Sequence, residues 1–147
     1  LDEATIATRG EELLSFHGLQ DFADELVEGF SHGMKQRLSL STALLHSPRL
    51  LIVDEPMVGL DPRGSKQIKA VFREQADRGN TVFLSTHSLD VAQEVCDRLA
   101  IIHKGRIVAQ GSYEEIRTRA SDARDLEEVF LAILEEEEEA VVTREDP

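Results

Sequence analysis

The sequence predicts an α/β fold with a mainly parallel sheet flanked by helices, and three observations carry that prediction. Leu50–Val53 is a run of Leu, Ile and Val bounded by Pro48 and Pro56, too short for a helix and therefore read as a buried strand. Thr81–Ser85 (TVFLS), opened by Gly79-Asn80, reads as a second buried strand. Between them, Arg63–Arg78 shows Ile68, Val71, Phe72 and Ala76 at helical spacing, the stripe of a surface helix. Strands alternating with helices in this way build a parallel sheet.

The other elements follow in order. Glu11–His17 and Phe22–Val27 mix apolar and polar residues and are punctuated by Gly18 and Gly29, which predicts two short helices joined by loops. Ser31 is a good N-cap for an amphipathic helix from Met34 to about His46, and Gly33 lets backbone approach closely in its first turn. After Thr81–Ser85, Leu89–Val95 reads as a short helix and Leu99–His103 as a third strand. A tight turn at Lys104-Gly105 leads to a fourth strand, Ile107–Gln110, pairing with the third. Gly111-Ser112 caps a helix that runs through Ile116 to about Arg119. Leu126–Leu134 is a last helix, and Glu135–Glu139 begins a solvated acidic tail.

Composition excludes several classes of function. The 147 residues suffice for one domain with its own core, at 41% apolar content. The net charge is -13, and much of it is local: Glu114–Pro147 holds 13 acids against 4 basic residues. Such a surface argues against nucleic acid as a partner, which needs basic patches. The single cysteine, Cys96, allows no intrachain disulfide and is expected on an apolar helix face in the core. No apolar run approaches the roughly 20 residues of a membrane span. The opening LDEATIATRG is not a secretory signal and lacks an initiator Met, so the chain is expected to begin partway through something larger.

Chemistry concentrates at Leu50–Pro62, LLIVDEPMVGLDP. Asp54 and Glu55 close the first strand, and ligands of open α/β sheets sit outside the carboxyl ends of strands. Charge belongs there only if something pairs with it. His87 ends the next strand and so falls at the same edge, while Asp61 follows in a Gly-Leu-Asp-Pro turn. The start of the Ser31-capped helix presents free N–H groups and the positive end of a dipole, a potential phosphate site. His17, His46 and His103 have no partner pattern and read as structural or exposed.

The order FSHGMKQRL, LLIVDEP, GLD and a strand ending in STH resembles the nucleotide-binding domain of ATP-binding cassette (ABC) transporters, over Leu13 to Leu134. The closing DLEEVFLAIL is similar to the ABC-2 branch, which includes drug exporters. The resemblance implies a P-loop NTPase (RecA-like) fold that binds ATP and Mg2+. It divides the chain into part of the helical signature subdomain (1–46), the C-terminal part of the ATPase core (47–119), a C-terminal helix (120–134) and a disordered acidic tail (135–147). Asp54 matches the Walker B aspartate that holds Mg2+ through water, Glu55 the general base, and His87 the switch histidine on the γ-phosphate. Ser31 and Gly33 match the signature motif that meets the γ-phosphate held by the opposite subunit, and Asp61 matches the D-loop acid at the dimer interface.

The signature departs from its commonest LSGGQ form: Phe30 replaces Leu, His32 the first Gly, and Met34 the Gln. His32 is read as a tolerated side chain. There is no G-x-x-x-x-G-K-[ST] loop, no preceding strand and no Gln loop. Gly59–Lys66 is a decoy, since Ser65 precedes Lys66 and a Pro turn and an acid intervene. The resemblance implies a head-to-tail dimer with a second nucleotide-binding domain and a transmembrane permease as partner, at the cytoplasmic face of the cell membrane. Two rivals remain: a soluble, non-transport ABC ATPase, and a non-enzymatic module lending Ser31 and Gly33 in trans to a complete ATPase.

Overall fold

The computed structural model describes residues 1–118 and 125–145, with side chains in the last helix as far as Glu136. The chain forms α1 (Glu3–Phe16), α2 (His32–Leu44), β1 (Leu50–Asp54), α3 (Pro62–Asp77), β2 (Thr81–Ser85), α4 (Leu89–Val95), β3 (Leu99–His103), β4 (Arg106–Gly111), α5 (Tyr113–Arg117) and α6 (Leu126–Glu145). It divides into two compact units, Leu1–Thr86 and His87 onward. The expected boundary at 46–47 does not coincide with this division. Leu40 and Leu44 of α2 share one core with Leu51 of β1 and with Ile68, Val71 and Phe72 of α3.

In the first unit, β1 and β2 pair in parallel, from Leu50 opposite Thr81 to Asp54 opposite Ser85. Leu50–Val53 and Val82–Leu84 are apolar, yet only one face of the pair is covered. Leu51, Val53, Val82 and Leu84 meet the core, whereas Leu50, Ile52 and Phe83 are 53%, 68% and 63% exposed. Successive strand residues face opposite ways, so the expectation of fully buried strands is corrected to one buried face.

The amino-terminal segment differs most from its sequence pattern. The first helix begins at Glu3 because Asp2 caps it, accepting from the Thr5 N–H at 2.8 Å. The helix expected over Phe22–Val27 is instead two 3₁₀ turns, Gln20–Phe22 and Val27–Gly29. Neither turn has a side-chain cap or a buried residue, so nothing offsets the cost of nucleating an α-helix here.

Residue His17, just past α1, is wholly buried. Its Nδ1 lies 3.1 Å from the Leu13 carbonyl and 2.7 Å from Ser41 Oγ, while the Ser41 hydroxyl donates to the Arg37 carbonyl at 2.9 Å. The Ser41 proton is thereby committed, which assigns the imidazole proton to Nδ1. Nε2 is buried with no hydrogen-bond partner among the described residues. Desolvation holds the His17 pKa below its usual 6.5, the Arg37 charge adds to this, and the hydrogen bond to Leu13 opposes it. The folded pKa lies below the unfolded one, so the unfolded chain takes up the proton first. Stability is therefore full above pH 6.5 and falls as pH drops below it, by at most about 1.4 kcal/mol per pH unit. Urea midpoints of the His17→Gln variant should lack this part of the slope between pH 7 and 5. A slope identical to that of the unmutated chain would refute it.

In the second unit, β3 and β4 form an antiparallel hairpin in a sheet of their own, turned at Lys104 and Gly105 with φ of +46° and +77°. Ile101, Ala109, Ile116, Leu126, Val129 and Ile133 form its core. Ser112 and Glu115 cap α5 reciprocally. Cys96 does not lie on a helix face as expected; it closes α4 as an extended, half-buried C-cap. The end expected near Arg119, and the boundary at 119–120, lie outside the described residues. The last helix continues past Leu134 to Glu145, so the backbone of Glu135–Glu139 is helical where a disordered tail was expected. Glu and Ala are strong helix formers and extend the helix without needing a buried face.

Candidate functional site

The site is built at the carboxyl ends of β1 and β2. Parallel pairing in register sets Asp54 beside Ser85, whose hydroxyl donates to the Asp54 carboxylate. Glu55, the next residue, turns the chain out of the strand with a φ of +44°. A non-glycine residue in this left-handed region costs of order 1–3 kcal/mol and persists only where its surroundings over-determine it. Two hydrogen bonds do so here. The Glu55 N–H donates to the Ser85 carbonyl at 2.9 Å, and the Thr86 hydroxyl donates to Glu55 Oε2 at 3.2 Å. The half-buried Glu55 carboxylate is thus aimed by the neighbouring strand, while Asp54 stays exposed.

Asp54 and Glu55 are the carboxylates at this edge that could hold a cation. Among the described residues, no cluster of three or more His, Cys, Asp and Glu could hold a metal. Mg2+, however, keeps several waters and is bound through one or two carboxylates plus substrate phosphates rather than by an all-protein cage. Asp54 fits that requirement.

From Glu55 the chain enters a turn closed by Val58 N–H to the Glu55 carbonyl (3.2 Å) and Leu60 N–H to the Met57 carbonyl (3.3 Å). Asp61 ends the turn as the N-cap of α3, its Oδ1 accepting from the Gly64 N–H at 2.7 Å. Gly64 is therefore a buried first-turn residue of a helix whose N-cap is Asp61.

Residue Ser31 caps α2 as the sequence predicts, its Oγ accepting from the Met34 N–H at 3.2 Å. The start of α2 lies against the turn that precedes α3. A methyl group on Gly33 would stand 3.3 Å from the Gly59 carbonyl oxygen and 3.5 Å from Leu60 Cδ2. Arg37 donates to the Gly33 carbonyl at 3.3 Å and to the His17 carbonyl at 2.9 Å, tying this turn to the end of α1. His87 follows Thr86 directly in sequence, is exposed, and opens the second unit.

The structure thus joins Asp54 and Glu55 in one cluster, and Gly33 with the Gly59–Asp61 turn in another. Sequence reasoning missed Ser85, Thr86 and Gly59. The first two could have been found by pairing the strands in register from their first residues. Gly59 carried no such signal, because its neighbours come from a helix 26 residues earlier.

Comparison with known proteins gives a consistent likeness. Residues 2–58 match the family model described as ABC transporter. Over 110 residues the chain is 40% identical to the daunorubicin/doxorubicin resistance ATP-binding protein DrrA of Streptomyces peucetius, covering 75% of this chain and 33% of that protein. It is 42% identical over 113 residues to a fluoroquinolones export ATP-binding protein of Mycobacterium tuberculosis, covering 77% and 38%. The chain therefore spans about a third of the length of these curated relatives. Among solved structures, an ATP-binding subunit of an ABC transporter superposes with a TM-score of 0.84 at 34% identity, over 91% of this chain and 56% of that one.

Proposed function

This chain belongs to the ABC transporter family of ATP-binding proteins, and from that membership we propose that it forms part of an ATPase subunit that energises export through a membrane permease. The observation that carries the reading is the aimed Glu55 carboxylate beside Asp54 at the carboxyl end of a parallel strand pair. The relatives support the direction of transport, since one is named for drug resistance and another for fluoroquinolone export. No helix among the described residues is long and apolar enough to cross a membrane, which suits a subunit that acts through a permease at the cytoplasmic face.

In this reading Asp54 holds Mg2+ through water, and the ion supplies charge neutralisation at the phosphates of ATP. Glu55 polarises the attacking water and takes its proton. His87 orients that water and contacts the γ-phosphate. Ser31 and Gly33, with Met34 beside them in the same helix turn, face a nucleotide held by the opposite nucleotide-binding domain, and the free N–H groups at the start of the helix offer it donors. Asp61 faces the same dimer interface. The β- and γ-phosphates must be gripped by a G-x-x-x-x-G-K-[ST] loop, which this sequence does not contain.

The test is a segment exchange, in which this chain replaces the matching part of a complete relative and ATP turnover is followed. Asp54→Asn should raise the Mg2+ concentration needed for half-maximal turnover, and Ser31→Ala should lower turnover without changing nucleotide affinity. Full activity in both variants would reject the reading.

A further inference from the structure

The contact between the start of α2 and the Gly59 turn gives His32 a task. A Cβ on Gly59 would fall inside His32 Cδ2, 3.0 Å from Nε2 and 3.2 Å from Cγ. Gly59 also has a φ of +76°, so both its backbone and its lack of a side chain are required at this place. The imidazole of His32 therefore lies directly on the backbone of the turn that delivers Asp61. Leu60, beside it, is wedged between two further glycines. Its Cδ2 is 3.5 Å from where a methyl on Gly33 would be and 3.7 Å from one on Gly64. The Asp61 carboxylate then closes the set on the Gly64 N–H.

We propose that His32 on Gly59, with Leu60 between Gly33 and Gly64, is a latch that makes the Ser31–Gly33 turn and the Asp61 turn move as one body. His32 is a positioning residue: it acts on the nucleotide only by fixing the spacing between Ser31 and Asp61. A glycine at position 32 would remove the ring from Gly59, leaving the two turns joined only by the Leu60 wedge and the close approach of Gly33 to the Gly59 carbonyl. This rests on the reading that both turns serve one nucleotide site, and the experiment keeps the two claims apart.

In the segment-exchanged subunit, kcat and KM for ATP are measured for His32→Gly, Gly59→Ala and the double variant. His32→Gly should lower kcat about tenfold to 10²-fold, the range expected when reacting groups are misplaced by about an ångström, with KM unchanged. Gly59→Ala should cost more, and the double variant should recover part of the Gly59→Ala loss, because the new methyl then has room. Multiplicative losses, or a His32→Gly variant with unchanged kcat, would overturn the latch. Ser31→Ala in the same series checks the site itself. Full activity there would refute the nucleotide reading, and a second readout would still decide the latch. Amide exchange of Gly64, 32 residues from His32, should accelerate severalfold in His32→Gly of the intact 147-residue chain, and an unchanged rate would overturn the coupling.

Discussion

Replacing Glu55 with Gln is expected to lower ATP turnover by about 10²–10⁴-fold in a subunit carrying this chain, the range that a positioned general base contributes. Nucleotide affinity should stay where it was. Gln keeps the shape and can still accept from the Thr86 hydroxyl, so the +44° backbone at this position is not released. What is lost is the capacity to take a proton from water. Turnover under saturating ATP, together with equilibrium nucleotide binding, checks both halves. A loss of binding that paralleled the loss of turnover would make Glu55 a ligand and not a base.

The second large effect concerns stability. Phe72 is 3% exposed, in the one core shared by α2, α3, β1 and β2. Phe72→Ala removes a buried ring and leaves a cavity, which should cost about 3–5 kcal/mol. Native domains are stable by only about 5–15 kcal/mol, so the variant should unfold at a much lower urea concentration. Since α3 is the crossover that brings β2 beside β1, the same change should loosen the Asp54–Ser85 pairing. An unchanged urea midpoint would contradict the assignment of this cluster as the core of the first unit.

Much of this was legible in the sequence. The strands Leu50–Asp54 and Thr81–Ser85, the crossover helix and the hairpin at Lys104-Gly105 were all readable, because apolar runs, helical periodicity and turn residues agree locally. The Asp54-Glu55 pair stood out because two acids end an apolar run. Three features were not readable, each for a physical reason. The bare face of Leu50, Ile52 and Phe83 is invisible in an apolar run, which does not say how many of its sides are covered. The 3₁₀ turns near Phe22 and Val27 come from segments whose propensity is too weak to decide. The ring of His32 on Gly59 depends on where α2 lies against a turn far along the chain, and periodicity carries no information about that. Asp61 gained a second role by the same route, since its capping of α3 fixes the turn that the nucleotide reading depends on.

In the proposed function this chain holds the water-activating and signature portions of an ATP site but not the portion that grips the phosphates. ATP turnover by the 147-residue chain alone, measured beside the same chain placed behind the phosphate-loop segment of a complete relative, tests it most directly. No turnover is expected from the chain alone, and turnover in the joined protein should disappear with Glu55→Gln. Hydrolysis by the chain alone that Glu55→Gln abolishes would contradict it.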